Sequence, residues 1–273
     1  MTEDIEANID KNQFAGKKGI GTEHLIVKLM DRVLSLLYKL GMRAVIKAAV
    51  DWASAFSRTD PTKTVTKLIN MGLRPSLVSV IIKFLVNRQM SVKFNGQESS
   101  LFSLVGGGPQ GSLAGQESYI AASNDNADCV QEDDQYKFCD DLSILELLML
   151  GDILTEYNFL EHMASDVGVD QRFLQTHGTQ VNFNKIALWT GDNLMRLKDS
   201  KTNYIIFTRS RQDFATRVTV NNKLIERQQY VKLLGVWVQE DCGWGKHVKE
   251  ACKKAYIRMS FLTKLRYAGV LQE

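Results

Sequence analysis

Residues 136–145 read YKFCDDLSIL, with an aromatic-led apolar run, two adjacent aspartates and then a second apolar run. The pattern on either side calls for buried strands, which do not carry unpaired charge without a reason. Two carboxylates about 4 Å apart repel by ~1 kcal/mol in water and by several times that in a protein-like medium, so a cation normally accompanies them. Asp140 and Asp141 therefore ask for a metal ion. Asp133 and Asp134, the same dipeptide in a polar setting, read as an exposed turn.

A second acid completes the pattern. The run RAVIKAAVD reads as a short, buried strand ending on Asp51. If its neighbour carries Asp140, the two carboxylates meet, and strand-borne carboxylates sharing two Mg²⁺ ions about 3.5–4 Å apart form the clamp for in-line displacement at phosphorus. Adjacent strand residues point to opposite faces, so Asp140 and Asp141 both face the metals only where the backbone turns. That consideration ranks Asp141 below Asp140 as a ligand.

The other elements are irregular in order. Leu25, Leu29, Val33, Leu36, Leu37 and Leu40 fall at helical spacing, with Thr22 as the N-cap and Gly41 as the stop. Asp60 before Pro61 starts a helix that runs to Met71, and a second apolar helix follows to about Val86. Asn95-Gly96 sets a hairpin turn within 91–105, and Asn221-Asn222 sets another within 217–227. A helix follows Ser112 to about Ala127, residues 151–200 are mostly helical in pattern, and 203–210 and 230–238 read as strands. A basic helix from Trp244 to about Leu265 presents Val248, Cys252, Ala255, Met259 and Leu262 on one face. The order is α+β with no regular βαβ array.

Charge is distributed unevenly. Residues 198–273 hold 15 Lys and Arg against 7 Asp and Glu, whereas residues 1–197 hold 19 against 24. An acidic centre with a basic flank suits a protein that binds divalent metal and grips a polyanion, although an acidic loop beside a solvated basic helix has the same composition. The four cysteines have neither CxxC spacing nor a dense framework, which points to reduced thiols inside a cell rather than to zinc or disulfides. No apolar run reaches membrane-spanning length, and the acidic MTEDIEANID is not a signal peptide.

The stretch GGGPQGS, residues 106–112, fits GxGxxG through Gly106, Gly108 and Gly111. Its strand belongs to a hairpin rather than to a βαβ unit, and no lysine follows Gly111, so neither a dinucleotide turn nor a P-loop is indicated. A plain glycine turn is the alternative.

Together, AAVDWASAF, the hairpin with GGGPQGS, YKFCDD, KDSKTNYIIF and KLLGVWV resemble, in order and spacing, the reverse transcriptases of non-LTR retroelements, and NQFAGKKGIGTEHLIVKL is similar to their fingers-to-palm segment. The resemblance covers nearly the whole chain. It implies a right-hand polymerase with partial fingers at 1–43, a palm with inserted fingers segments at 44–242 and the start of a thumb at 243–273. The chain would then be truncated at its N-terminus, without the upstream fingers strands and without endonuclease or RNase H regions.

Residue by residue, the resemblance makes Asp51, Asp140 and Asp141 catalytic. They would be metal ligands together with the Trp52 carbonyl, for two Mg²⁺ or substituting Mn²⁺. Phe56 would lie against the sugar and crowd a 2′-OH, favouring deoxynucleotides. Gln110 and Gly111 would face the template and the incoming nucleotide, and Lys201 would assist the pyrophosphate leaving group. LLGVW resembles the primer-grip hairpin. Cys139 stands where the family more often has Ala, Ile or Val, and Lys17 and Lys18 stand where the fingers often supply an arginine fork. Read without the resemblance, Phe56 is core, Lys201 is a surface charge and Gln110 caps its loop.

The implied function is RNA-templated synthesis of DNA from a DNA primer and dNTPs, in the nucleus or cytoplasm, with no membrane association and no oligomeric state set by the sequence. The alternatives are a catalytically degenerate polymerase fold that binds nucleic acid, an RNA-dependent RNA polymerase and, more remotely, a dehydrogenase built on the glycine motif.

Overall fold

A computed structural model describes residues 2–38, 42–108, 111–128, 130–149, 177–209 and 218–270. Its centre is a four-stranded antiparallel sheet. The strands are β1 (Met42–Val50), β2 (Gln135–Phe138), β3 (Asp141–Met149) and β4 (Asn203–Thr208), in the spatial order β2-β3-β1-β4. β1 lies in the middle, pairing Val50 with Leu142 and Ala48 with Ile144 on one side, and Ala49 with Asn203 and Val45 with Phe207 on the other.

Because β1 is covered on both faces, its sequence is a nearly continuous apolar run. Ala44, Ile46, Ala48 and Val50 share one core with Leu142, Ile144, Tyr204, Ile206, Tyr119 and Phe183. Val45 joins Leu145, Ile205 and Phe207 in a second core, against the helix α1 (Thr22–Tyr38). The buried stripe of α1 is Leu25, Ile26, Leu29, Met30, Val33, Leu36 and Leu37, which matches the spacing read from sequence; the expected stop at Gly41, with Leu40, lies outside the described residues. α2 (Pro61–Asn70) and α3 (Pro75–Leu85) form a third core with Ile5, Ile9 and Ile120. Asp60 caps α2 as expected, its side chain accepting from the Thr62 amide at 2.8 Å and the Lys63 amide at 3.2 Å.

Three readings change. The helix after Ser112, α4 (Leu113–Ala122), ends five residues short of Ala127, because Ser123, Asn124, Asp125 and Asn126 favour turns over helix. Residues 230–238, read from pattern as one strand, form two, β5 (Tyr230–Leu233) and β6 (Val236–Gln239), folded back at Leu234 and Gly235 with φ of 48° and 93°. Within 177–200 the helical pattern is α5 (His177–Asp192) followed by turns and a single bridge at Leu197, and the part at 151–176 lies outside the described residues.

The hairpin turns at Asn95-Gly96 and Asn221-Asn222 form where expected, with positive φ at both central residues. The terminal helix α6 (Gly245–Tyr267) buries none of its residues, so its apolar face is open, with Val248 at 54% and Leu262 at 53% exposure. It attaches to β6 by its first turn, where the Lys246 amide donates to Gln239 Oε1 at 2.6 Å. No helix among the described residues is long and apolar enough to cross a membrane.

Candidate active site

The register sets Asp51 and Asp141 together. Val50 faces Leu142, so the next residue outward on each strand, Asp51 and Asp141, emerges at the same end of the sheet. Strand alternation puts both on the face of Val45 and Leu145, the α1 side.

Asp140 occupies the two-residue turn that joins β2 to β3, where Phe138 pairs with Asp141. Cys139, the other turn residue, has φ of 57°, a left-handed conformation that costs a non-glycine residue about 1–3 kcal/mol and is held where the surroundings over-determine it. Here the hold is visible. The Cys139 amide donates to Gln13 Oε1 at 3.0 Å, the Ala15 amide donates to the same oxygen at 3.0 Å, and residues 12–14 bond along the outer edge of β2. The turn required for both aspartates to serve one site is therefore present.

Asp141 senses its neighbours. Asp141 holds its proton more tightly than an ordinary aspartate, first through partial desolvation, then through the charge of Asp140 and, more weakly, of Asp51, with buried Lys47 pulling the other way. Hard carboxylate oxygens in a shared negative field suit a divalent cation such as Mg²⁺. Their arrangement is open, however: among the described residues no group of three or more His, Cys, Asp or Glu side chains is set to hold a metal ion. Donor chemistry fits the ion, and the cage is not closed.

Segment 196–202 fastens to the end of β1. The Ala53 amide donates to the Arg196 carbonyl at 2.8 Å and the Lys198 amide to the Asp51 carbonyl at 2.9 Å, flanking a bridge between Trp52 and Leu197. These bonds leave the Trp52 carbonyl outside the ladder. The Trp52 ring is buried 5.7 Å from that of Trp189, and its indole N–H has no partner among the described residues. A tight turn at 198–202, closed by the Thr202 hydroxyl donating to the Lys198 carbonyl at 3.0 Å, brings the Lys201 ammonium to 3.7 Å from Asp51 Oδ2. Lys201 is both an exposed side chain and a partner of Asp51.

Phe56 is half-buried against the first core, on the single turn Ala55–Arg58. The glycine loop lies directly on that turn. The Gly107 amide donates to the Thr59 carbonyl and the Gly108 amide to the Phe56 carbonyl, each at 2.7 Å, while Arg88 Nη2 donates to the carbonyls of Gly106 and Gly107. Gly107 has φ of 84°, and a Cβ there would lie 2.8 Å from Ser57 Cα and 2.9 Å from the Phe56 carbonyl oxygen. Glycine here serves backbone-on-backbone packing. Gly111 is exposed with φ of 82°, next to Ser112, whose hydroxyl caps α4 by accepting from the Gly115 amide at 3.0 Å. Pro109 and Gln110 lie outside the described residues.

Two residues at this end had no sequence signal. Tyr119 stacks on Phe56, but α4 is apolar around much of its circumference and has no stripe to mark its inward positions. Lys47 sits in an apolar run and is 2% exposed.

No protein-family model matches the chain. It is 23% identical over 264 residues to the RNA-directed DNA polymerase from mobile element jockey of Drosophila melanogaster, an alignment that covers 95% of this chain. The chain spans 27% of the length of that curated relative. By sequence, then, it is distantly similar over nearly its whole length to one part of a mobile-element polymerase.

Proposed function

We propose that the chain is the catalytic core of an RNA-directed DNA polymerase, with a palm built on β1–β4, partial fingers at 1–43 and the start of a thumb at 243–273. The observation that carries this reading is the register of β1 with β3, by which Asp51 and the Asp140–Asp141 turn come to one end of one sheet, where Lys201 and Phe56 also lie.

Asp51, Asp140 and Asp141, with the Trp52 carbonyl, would hold two Mg²⁺ ions, or Mn²⁺ in their place. When bound, such ions stabilise the attacking and leaving oxygens of an in-line displacement. The primer 3′-OH attacks the α-phosphorus of a dNTP and pyrophosphate departs. Lys201 neutralises charge on the departing pyrophosphate, and its contact with Asp51 keeps it at that end of the sheet. Phe56 lies against the sugar and excludes a 2′-OH; the glycine loop, with Gln110 and Gly111, borders the template and the incoming base. RNA template and DNA primer are gripped through phosphate by the basic C-terminal part, so binding falls steeply with salt.

The test is extension of a DNA primer on an RNA template. Asp140→Asn abolishes Mg²⁺-dependent extension while leaving the fold intact; a variant that extends as well as the parent removes the reading. A second reading, a polymerase fold that binds nucleic acid without extending it, is favoured by the open arrangement of the acids. Salt-dependent binding with no incorporation by the folded chain decides for it. Preference for NTPs over dNTPs in the same assay would indicate an RNA polymerase instead.

A further inference from the structure

The Phe56 ring and the Phe56 backbone are held by different parts of the molecule. The glycine loop holds the backbone, through the Gly108 amide on its carbonyl at 2.7 Å. The ring stacks on Tyr119 of α4, with centroids 4.5 Å apart and planes 28° from parallel. Stacked aromatic pairs of this kind add about 0.5–1.5 kcal/mol beyond the area they bury. A flat partner also fixes the tilt of the ring, which an aliphatic neighbour does not.

Tyr119 is well suited to be that partner. It is 2% exposed, inside the first core and in the middle of a capped helix. Its hydroxyl is buried with no hydrogen-bond partner among the described residues. Burial, followed by the charge of Asp140, pushes the pKa of that phenol well above its usual range, so the side chain is neutral. A buried hydroxyl without a partner gives up its bonds to water and gains none in return. What this position uses is the ring.

We propose that Tyr119 is the positioning residue for sugar discrimination: its ring sets the tilt of Phe56 and thereby the clearance at the 2′ position, so that the choice between deoxy- and ribonucleotides is made by a stacked pair. The inference rests on the reading of Phe56 under Proposed function and deepens it. Rejection of a 2′-OH by contact requires a ring that cannot move aside. A Phe56 free of its stack can rotate about χ1 and χ2 and make room. Shape-based discrimination over one small group is worth about 10–200-fold, so loosening the ring forfeits about tenfold.

The experiment measures the affinities of dATP and ATP, with MgCl₂ and a primed RNA template carrying uridine at the templating position. It uses the full chain and its Phe56→Ala, Tyr119→Phe, Tyr119→Leu and Tyr119→Met forms. The unaltered and Tyr119→Phe proteins are expected to share one deoxy-to-ribo ratio. Tyr119→Leu and Tyr119→Met lower it about tenfold, toward the value for Phe56→Ala. If either of these two weakens both nucleotides in parallel and keeps the ratio, Tyr119 is only core and the inference falls while the role of Phe56 stands. If Tyr119→Phe already loses the ratio, the hydroxyl is responsible and the inference is overturned. If Phe56→Ala keeps the ratio, or the unaltered chain shows no preference, the reading of Phe56 falls with it.

Discussion

The ammonium of Lys201 lies 3.7 Å from Asp51 Oδ2, across the bridge that joins Trp52 to Leu197. The two side chains are 61% and 36% exposed, so water and salt screen the pair and its contribution to stability is at most ~0.5 kcal/mol. Lys201→Met is therefore expected to leave the urea midpoint almost unchanged while lowering nucleotide incorporation in primer extension. A large loss of stability with normal incorporation would make Lys201 a strut and remove it from the chemistry.

Gly107 and Gly111 both have positive φ, yet they are expected to respond differently to alanine. A Cβ at Gly107 meets the backbone of Phe56 and Ser57 within 3 Å, whereas a Cβ at Gly111 meets nothing within 4 Å. Gly111→Ala should cost only the left-handed strain, about 1 kcal/mol, and Gly107→Ala about 2–3 kcal/mol or more, because the loop must also lift off its neighbours. Chemical denaturation of the two variants side by side checks the order. Equal losses would mean that the close approach is not maintained in solution.

Burial lowers the Lys47 ammonium from 10.5 to about 8, against the pull of the Asp141 charge. The folded chain thus holds this proton less tightly than the unfolded chain. Below pH 8 the penalty for the buried charge is present in full; between pH 8 and 10.5 it fades, because the folded state releases a proton that the unfolded state keeps. Lys47→Met, which preserves the length of the side chain, is expected to raise stability at pH 7 by an amount on the order of 3 kcal/mol, and the gain should vanish by about pH 10.5. Unfolding free energies of both proteins across this range give the answer; a gain independent of pH would assign the effect to packing.

Replacing a buried tyrosine by phenylalanine usually costs stability, because a hydrogen bond is lost. At Tyr119 the hydroxyl is buried and unpartnered among the described residues, so Tyr119→Phe should be neutral or stabilising by up to about 1 kcal/mol. Thermal unfolding of the full chain measures this. A loss of more than 1 kcal/mol would reveal a partner for the hydroxyl.

Legibility in the sequence followed the range of the forces involved. The buried stripe of α1, the Asp60 cap and the paired asparagine turns are local, and each appears where its residues call for it. The strands bearing Asp51 and Asp141 were readable as strands, but their mutual register depends on pairing across the chain. The turn at Cys139 depends on Gln13, more than a hundred positions away, which no local pattern announces. Tyr119 was hidden for a related reason: nothing in a helix apolar on several sides distinguishes the ring that meets Phe56 from those that fill the core. The spacing of Val248, Met259 and Leu262 on α6 states that an apolar face exists and not what covers it, and in the structure that face is exposed.

Both outer strands of the central sheet carry backbone bonds from flanking chain. Along β2, the Phe14 amide donates to the Lys137 carbonyl at 2.8 Å and the Lys137 amide to the Asn12 carbonyl at 2.9 Å; along β4, the Gln228 amide donates to the Tyr204 carbonyl at 2.8 Å and the Thr208 amide to the Glu240 carbonyl at 3.1 Å. An incoming extended chain finds those backbone groups already engaged, which blunts edge-to-edge pairing at those positions.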